Sequence, residues 1–248
     1  MEIRTFGNEE RTLVCAGLLK EALGEGRVGR LIVLPIPTSV DEKNIKGTDV
    51  SLGEIAALTD ENTAVIGYDI PGEITQRGEK VGAKLFDASL DEDFLLENAE
   101  LTARGTVGYI LTNSKLDASD MRIGIVGYGR IGKRILRLLL FLGAKIMLYT
   151  TRKEVALSMC QTGVPACVID ENCDFSGLDI LINTAPARQI DEEKLDKETL
   201  IIDLASGNVF DRKEGVVKLS SVPTKYYPVS AGKVYAKAAY KALFGGEL

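Results

Sequence analysis

The chain contains no histidine among its 248 residues. Histidine is the one side chain that ordinarily titrates near neutral pH, and it is the commonest general acid–base group. Without it, Ser-His-Asp and Cys-His nucleophile systems are excluded, and so is any hydride transfer assisted by an imidazole. Proton chemistry falls to Lys, Tyr, Asp, Glu, Cys or water. The four cysteines, Cys15, Cys160, Cys167 and Cys173, form no Cys-x-x-Cys pair. With no imidazole to complete a ligand set, a zinc site is not expected, and free thiols of a reducing compartment are. No apolar run reaches membrane-spanning length, and the start, Met1-Glu-Ile-Arg, has no signal-peptide pattern. These absences predict a cytoplasmic protein with no metal and no membrane partner. Internal repeats, proline-rich tracts and low-complexity segments are missing too.

What is present is a core. Hydrophobic residues make up 45% of the chain, and the mean hydropathy is +0.06. That suffices for one large or two small domains. The net charge is −6, unevenly spread: residues 1–118 carry 12 basic and 21 acidic side chains, and residues 119–248 carry 18 and 15. The acidic balance argues against a nucleic-acid partner. The mildly basic second half suits a phosphorylated cofactor or an anionic substrate.

The run Met121-Arg-Ile-Gly-Ile-Val-Gly-Tyr-Gly-Arg-Ile-Gly132 carries the clearest signal. An apolar strand breaks into Gly127-x-Gly129-x-x-Gly132 and enters an amphipathic helix, the context that a dinucleotide-binding turn requires. Gly127 permits the tight turn, Gly129 lets the backbone approach a pyrophosphate, and Gly132 lets the helix pack on the strand. The positive amino end of that helix then faces the phosphates. The next strand, Lys145–Tyr149, runs into Thr150-Thr151-Arg152-Lys153. An NAD site has a carboxylate near this point for the ribose 2′-hydroxyl. Two hydroxyls and two cations replace it here, which predicts NADP(H), since arginine grips a phosphate through its donor fork. The alternative is that Arg152 and Lys153 simply open an exposed helix.

Strands alternate with helices along the whole chain, so parallel sheets are expected. The spacing predicts strands at Ile3–Phe6, Leu31–Leu34, Thr63–Gly67 and Ala83–Phe86, with helices at Glu9–Leu23, Leu52–Leu58 and Ile74–Val81. Gly24, Gly26 and Gly29 close the first helix. Asp91–Leu111 reads as one long helix or two shorter ones. Later strands fall at Ala166–Ile169, Asp179–Asn183, Leu200–Asp203 and Val216–Lys218, and Ser230–Phe244 is a terminal helix. The predicted class is α/β: a Rossmann-type doubly wound parallel sheet with a second, smaller α/β domain. The expected division is a small substrate-side domain at 1–96, a linker helix and connector at 97–120, the dinucleotide domain at 121–228, and a terminal helix at 229–248 packing back across the cleft.

Several segments together resemble the A subunit of dipicolinate synthase, a bacterial relative of the D-isomer 2-hydroxy-acid dehydrogenases. They are Leu34-Pro-Ile-Pro-Thr-Ser39, Glu97-Asn-Ala-Glu-Leu-Thr-Ala-Arg-Gly105, the glycine run, Asp179-Ile-Leu-Ile-Asn-Thr-Ala-Pro186, Ile201-Ile-Asp-Leu-Ala-Ser206 and Pro228-Val-Ser-Ala-Gly232. The resemblance covers most of the chain and implies an NADP-dependent oxidoreductase. Hydride transfer would run between the nicotinamide and a small cyclic dicarboxylate such as dihydrodipicolinate, alongside a flavoprotein-like B subunit. A homo-oligomer, by base rate a dimer, is expected. Two departures, a first domain shorter than that family's, with the deficit before Leu31, and Gly-Asn-Val-Phe after Ser206, motivate an alternative: an inactive NADP-binding regulatory or assembly module; a further departure is Arg104 where that family tends to have Glu. A second alternative is a carbonyl or imine reductase using Lys or Tyr as its acid.

Ligands of open α/β sheets sit beyond the carboxyl ends of the strands. The expected cofactor residues are therefore Gly127, Tyr128, Gly129, Arg130, Ile131, Gly132, Thr150, Thr151, Arg152, Thr184, Ala185, Pro186, Ala205 and Ser206. Thr38, Ser39, Asn98, Thr102, Arg104 and Ser230 are the candidates for receiving a dicarboxylate. Arg104 suits it through its planar fork, and Ser230 either helps at the amino end of the last helix or merely caps it. Lys225 and Lys233 are the candidate proton carriers.

Overall fold

The computed structural model describes residues 1–24, 27–186, 190–205, 207, 209–211, 214–246 and 248. Gly26 and Ser206 therefore lie outside the described residues. The chain divides into two compact units, one of residues 1–98 and 223–248, the other of residues 99–222.

The first unit begins β1 (Glu2–Thr5), α1 (Glu10–Leu23), β2 (Arg30–Val33), α2 (Leu52–Leu58), β3 (Thr63–Gly67), α3 (Gly72–Val81) and β4 (Lys84–Asp87). Its four strands are parallel in the order β1-β2-β3-β4. All five residues of β3 are buried, as expected of a strand covered on both faces. Alternate side chains divide between two cores. Leu31, Val33, Ala64 and Ile66 pack with Cys15 and Leu19 of α1. Ile32, Leu34 and Val65 pack with Leu52 and Ile55 of α2 and Ile74 of α3. Ser51 and Glu54 close a reciprocal capping box at the start of α2.

A single helix of 22 residues, α4 (Glu92–Asn113), follows, so the ambiguous stretch is one element. The second unit then runs β5 (Arg122–Val126), α5 (Arg130–Phe141), β6 (Lys145–Thr150), α6 (Lys153–Gln161), β7 (Ala166–Val168), β8 (Ile180–Asn183), β9 (Leu200–Asp203) and β10 (Val216–Lys218). Its six parallel strands are ordered β10-β9-β8-β5-β6-β7. The order reverses between β5 and β8, which makes this sheet doubly wound with its switch point beside the glycine turn. The expected α/β class, with a larger doubly wound sheet and a smaller second one, is what the structure has.

The chain ends in α7 (Val222–Tyr226) and α8 (Pro228–Phe244). Pro228 occupies the first helical position, where its fixed φ and missing N–H are favourable. The helix thus starts two residues before Ser230, and the cap position is Tyr227, so Ser230 is not an N-cap. Ala236 and Ala239 join the core on the α1 face of the first sheet. At Gly232 the two helices meet so closely that a Cβ would lie 2.6 Å from Val14 and 2.8 Å from the Arg11 carbonyl oxygen. Gly232→Leu is expected to destabilise the fold by about 2–3 kcal/mol through overpacking. Urea unfolding checks this, and an unchanged midpoint contradicts the close contact.

Candidate functional site

The glycine turn is fixed by its neighbours on both sides. The Gly127 N–H donates to the Tyr149 carbonyl at 2.9 Å, and the Thr184 N–H donates to the Val126 carbonyl at 2.9 Å. The Thr184 hydroxyl donates to the same carbonyl at 2.8 Å. The ends of β6, β5 and β8 are therefore pinned around one point. Gly127 holds φ at +94°, which a side chain disfavours. A Cβ on Gly132 would lie 2.3 Å from the Gly127 carbonyl oxygen. That distance is impossible, so only glycine lets α5 start against the turn.

Gly129 behaves differently. It is the N-cap residue of α5 in an ordinary extended conformation. A Cβ there would meet nothing within 4 Å. The first N–H groups of a helix have no partner within the helix, so the open surface at the amino end of this 12-residue element fits a pyrophosphate. A side chain at Gly129 would fill the cradle without disturbing the fold.

At the neighbouring strand end Thr150 is buried, and its hydroxyl accepts from the Arg152 N–H at 3.2 Å. Thr151 and Arg152 are exposed. Arg152 is the N-cap residue of α6, so it does open a helix. It also donates from Nη2 to the Tyr128 carbonyl at 2.9 Å, which brings the guanidinium to the glycine turn. Lys133 stands over the Tyr128 ring, 5.2 Å from its centroid. Arg130 is exposed and Ile131 half-buried in the first turn of α5.

Beyond β8 and β9 lies a buried polar network. Asn183 and Asp203 are 1% and 2% exposed. Asn183 donates to Asp203 at 2.9 Å and to the Ala185 carbonyl at 3.1 Å, while its Oδ1 accepts from the Ala185 N–H. Asp203 accepts from the Ala205 N–H at 3.1 Å and pairs with Lys218 Nζ at 2.6 Å. Lys218 also donates to the carbonyls of Ala205 and Gly207. Ala185 and Ala205 are buried, and Thr184 and Pro186 sit at the same strand ends. The described residues expected to meet the cofactor thus gather at the carboxyl edge of one sheet. The motifs alone do not single out Asn183, Asp203 and Lys218 as a group. The available signal is a polar residue closing each apolar strand, Ile-Leu-Ile-Asn183 and Leu-Ile-Ile-Asp203.

The residues proposed for substrate fall in both units. On α4, Thr102 is buried and its carbonyl accepts from the Thr106 hydroxyl at 2.8 Å; Asn98 is half-buried. Arg104 is exposed and pairs with Glu100 one turn earlier at 3.2 Å. Glu100 also receives Arg134 at 3.1 Å and Arg137 at 3.3 Å from α5. In the first unit, buried Thr38 accepts from the Tyr68 N–H at 3.0 Å and donates its own N–H to the Tyr68 carbonyl. Its hydroxyl is thereby a structural tie. The Ser39 hydroxyl donates to the Asn44 carbonyl at 2.7 Å and accepts from the Glu42 N–H, closing a loop. Lys225, Ser230 and Lys233 are exposed, and Lys225 lies 5.4 Å from the Tyr226 ring centroid. Among the described residues no cluster of three or more metal-ligating side chains occurs, and no helix is long and apolar enough to cross a membrane.

Residues 107–221 match the family model for the NAD binding domain of D-isomer specific 2-hydroxyacid dehydrogenases. That segment, which holds all six strands of the second sheet, carries a nucleotide-binding fold of the 2-hydroxyacid dehydrogenase kind. Over nearly its whole length the chain shares the fold of the A subunit of dipicolinate synthase. That subunit from Bacillus halodurans superposes with a TM-score of 0.76 at 20% identity, covering 98% of this chain and 97% of that one. The corresponding chain of the Bacillus subtilis enzyme gives 0.75 at 20% identity, covering 97% and 95%. A transhydrogenase from Sinorhizobium meliloti gives 0.60 at 16% identity, covering 84% and 71%. At such identities the fold is what is shared. No curated protein sequence matches the chain.

The two glycines separate binding from folding. Gly129→Val is expected to keep the wild-type melting temperature and to lose detectable NAD(P)H binding by calorimetry. Gly132→Ala is expected to lower the melting temperature, because the Gly127 carbonyl must move. Retained binding by Gly129→Val contradicts the cradle. Lys218→Met leaves Asp203 buried beside neutral groups and is expected to cost about 2 kcal/mol in urea unfolding, less than a fully buried pair because Lys218 is partly exposed.

Proposed function

We propose that the protein is an NADP-dependent oxidoreductase working between NADP(H) and a small cyclic dicarboxylate such as dihydrodipicolinate. The observation that carries this reading is the pairing of an open glycine cradle with a cationic strand end. Gly129 leaves room for a pyrophosphate, and Arg152, tied to the Tyr128 carbonyl, stands beside it. Thr150, Thr151, Arg152 and Lys153 present no carboxylate to repel a 2′-phosphate. The fold shared with the A subunit of dipicolinate synthase supports the substrate class, and those proteins, being subunits, support a second chain as partner, which we propose is flavoprotein-like.

When bound, the nicotinamide supplies the hydride donor or acceptor. The chain's own residues do the rest. Backbone N–H groups at the amino end of α5 hold the pyrophosphate. Arg152 and the neighbouring hydroxyls select the 2′-phosphate, and the Asn183–Asp203–Lys218 network fixes the strand ends along which Thr184, Ala185, Pro186 and Ala205 lie. Formation of an aromatic ring supplies driving force, so a weak base suffices without histidine. Lys225 and Lys233 are the proposed proton carriers. Their exposure also favours a second reading, an NADP-binding module without turnover. Binding of NADPH with no oxidation of dihydrodipicolinate, even beside a flavoprotein partner, would select that reading.

Titration calorimetry with NADPH and with NADH tests the cofactor assignment. NADPH is expected to bind more tightly, and Arg152→Ala to weaken it about 10–100-fold, the range for a charged hydrogen bond, while NADH affinity stays nearly level. Equal affinities for the two cofactors overturn the assignment.

A further inference from the structure

Arg11 sits in the first turn of α1, just past the carboxyl end of β1, and is 2% exposed. Among the described residues its Nε has no hydrogen-bond partner. The hydroxyl of the adjacent Thr12, 0% exposed, has none either. A buried guanidinium without a counter-anion is among the costliest arrangements in a protein interior. A cation in the first turn of a helix also faces the positive end of its dipole. Burial pulls the Arg11 pKa down, with Glu9 acting in the opposite sense.

The nearby groups do not supply the missing charge. Glu9 is committed to Lys46, whose Nζ lies 2.6 Å away, and it accepts weakly from the Ile36 N–H at 3.4 Å. Lys46 in turn donates to the Ile36 carbonyl at 2.7 Å, so Glu9 and Lys46 are spent on holding the loop after β2. The Tyr235 hydroxyl donates to the Leu34 carbonyl, and burial pushes its pKa up, so it stays neutral. The Cys15 thiol is likewise kept protonated by burial. Asp87 is saturated by the N–H groups of Asp69, Ile70 and Ser89 at 2.8–2.9 Å. Glu9 and Lys46 therefore cancel one another, and among the described residues Arg11 has no ion-pair partner of its own beside the carboxyl ends of β1 and β2. That edge of a parallel sheet is where small ligands are received.

We infer that Arg11 is the anchor for a carboxylate of the substrate in the first unit. The ligand class is a small organic carboxylate, taken side-on by the guanidinium fork. The assignment rests on the dicarboxylate reading of the function and gives it a definite residue. The burial that makes the unpaired cation unfavourable is what makes its pair with an anion strong, since water no longer competes.

The test uses the full chain and pyridine-2,6-dicarboxylate as probe, with pyridine-2-carboxylate and pyridine as comparisons. Calorimetry is expected to show binding of the two carboxylates and not of pyridine. Arg11→Met is expected to weaken the dicarboxylate about 100-fold, in the range for truncating one member of a buried charge pair. Its melting temperature without ligand is expected to hold or rise, because an uncompensated charge has been removed. Arg11→Lys keeps the charge without the fork, so it is expected to lose about 10-fold and serves if the methionine variant fails to fold. NADPH affinity is expected to be unchanged in both. A wild-type protein that binds neither carboxylate overturns the anchor, whatever it does with NADPH. So does an Arg11→Met protein that melts lower yet binds as before. Arg11-dependent binding without any hydride transfer leaves the anchor standing and instead removes the oxidoreductase reading.

Discussion

The second unit is organised by one steric constraint, the approach of α5 to the turn that precedes it. Position 132 lies so close to the Gly127 carbonyl that no side chain fits between them. The contact sets where α5 begins, and therefore where its first N–H groups and positive end are delivered. The same turn accepts bonds from Thr184, the residue after β8, and donates to Tyr149 on β6, so the switch point of the sheet and the helix end are tied together. The open face over Gly129 exists because everything around it is fixed.

Polar groups do the corresponding work at the other strand ends. Asn183, Asp203 and Lys218 join β8, β9 and β10 through side chains at the last paired residues of those strands. In the first unit Glu9 and Lys46 hold the loop after β2 in a similar way. The contrast between the two edges is informative. The Lys218 charge is matched by a buried carboxylate, whereas the Arg11 Nε has no hydrogen-bond partner among the described residues. A satisfied network reads as scaffold, and an unsatisfied cation reads as a place where a ligand completes the structure.

Much of the fold is legible in the sequence, because parallel strands buried on both faces are continuous apolar runs. Leu31–Leu34 and Thr63–Gly67 announce themselves that way. The glycine turn is legible because its spacing is imposed by local sterics. What the sequence hides is long-range. Arg104 has the right chemistry to grip a dicarboxylate, but Glu100 gathers it together with Arg134 and Arg137, which come from another helix. Thr38 has a hydroxyl at a strand end, yet it is tied to Tyr68, thirty residues on. Ser230 has the side chain of a cap, yet Pro228 starts the helix first. Arg11 carries no signal at all, since nothing in a one-dimensional pattern marks a helix-surface arginine as buried and unpaired.

The absence of histidine gives these arrangements their meaning. Under the proposed function, a chain without imidazole relies on positioning, on fixed cations and on the driving force of ring formation. Diffraction from crystals grown with NADPH tests this account most directly. The account predicts the pyrophosphate over the Gly129 backbone at the amino end of α5 and the 2′-phosphate against Arg152. A cofactor bound elsewhere, or a 2′-phosphate left in solvent while Arg152 stays on the Tyr128 carbonyl, would contradict it.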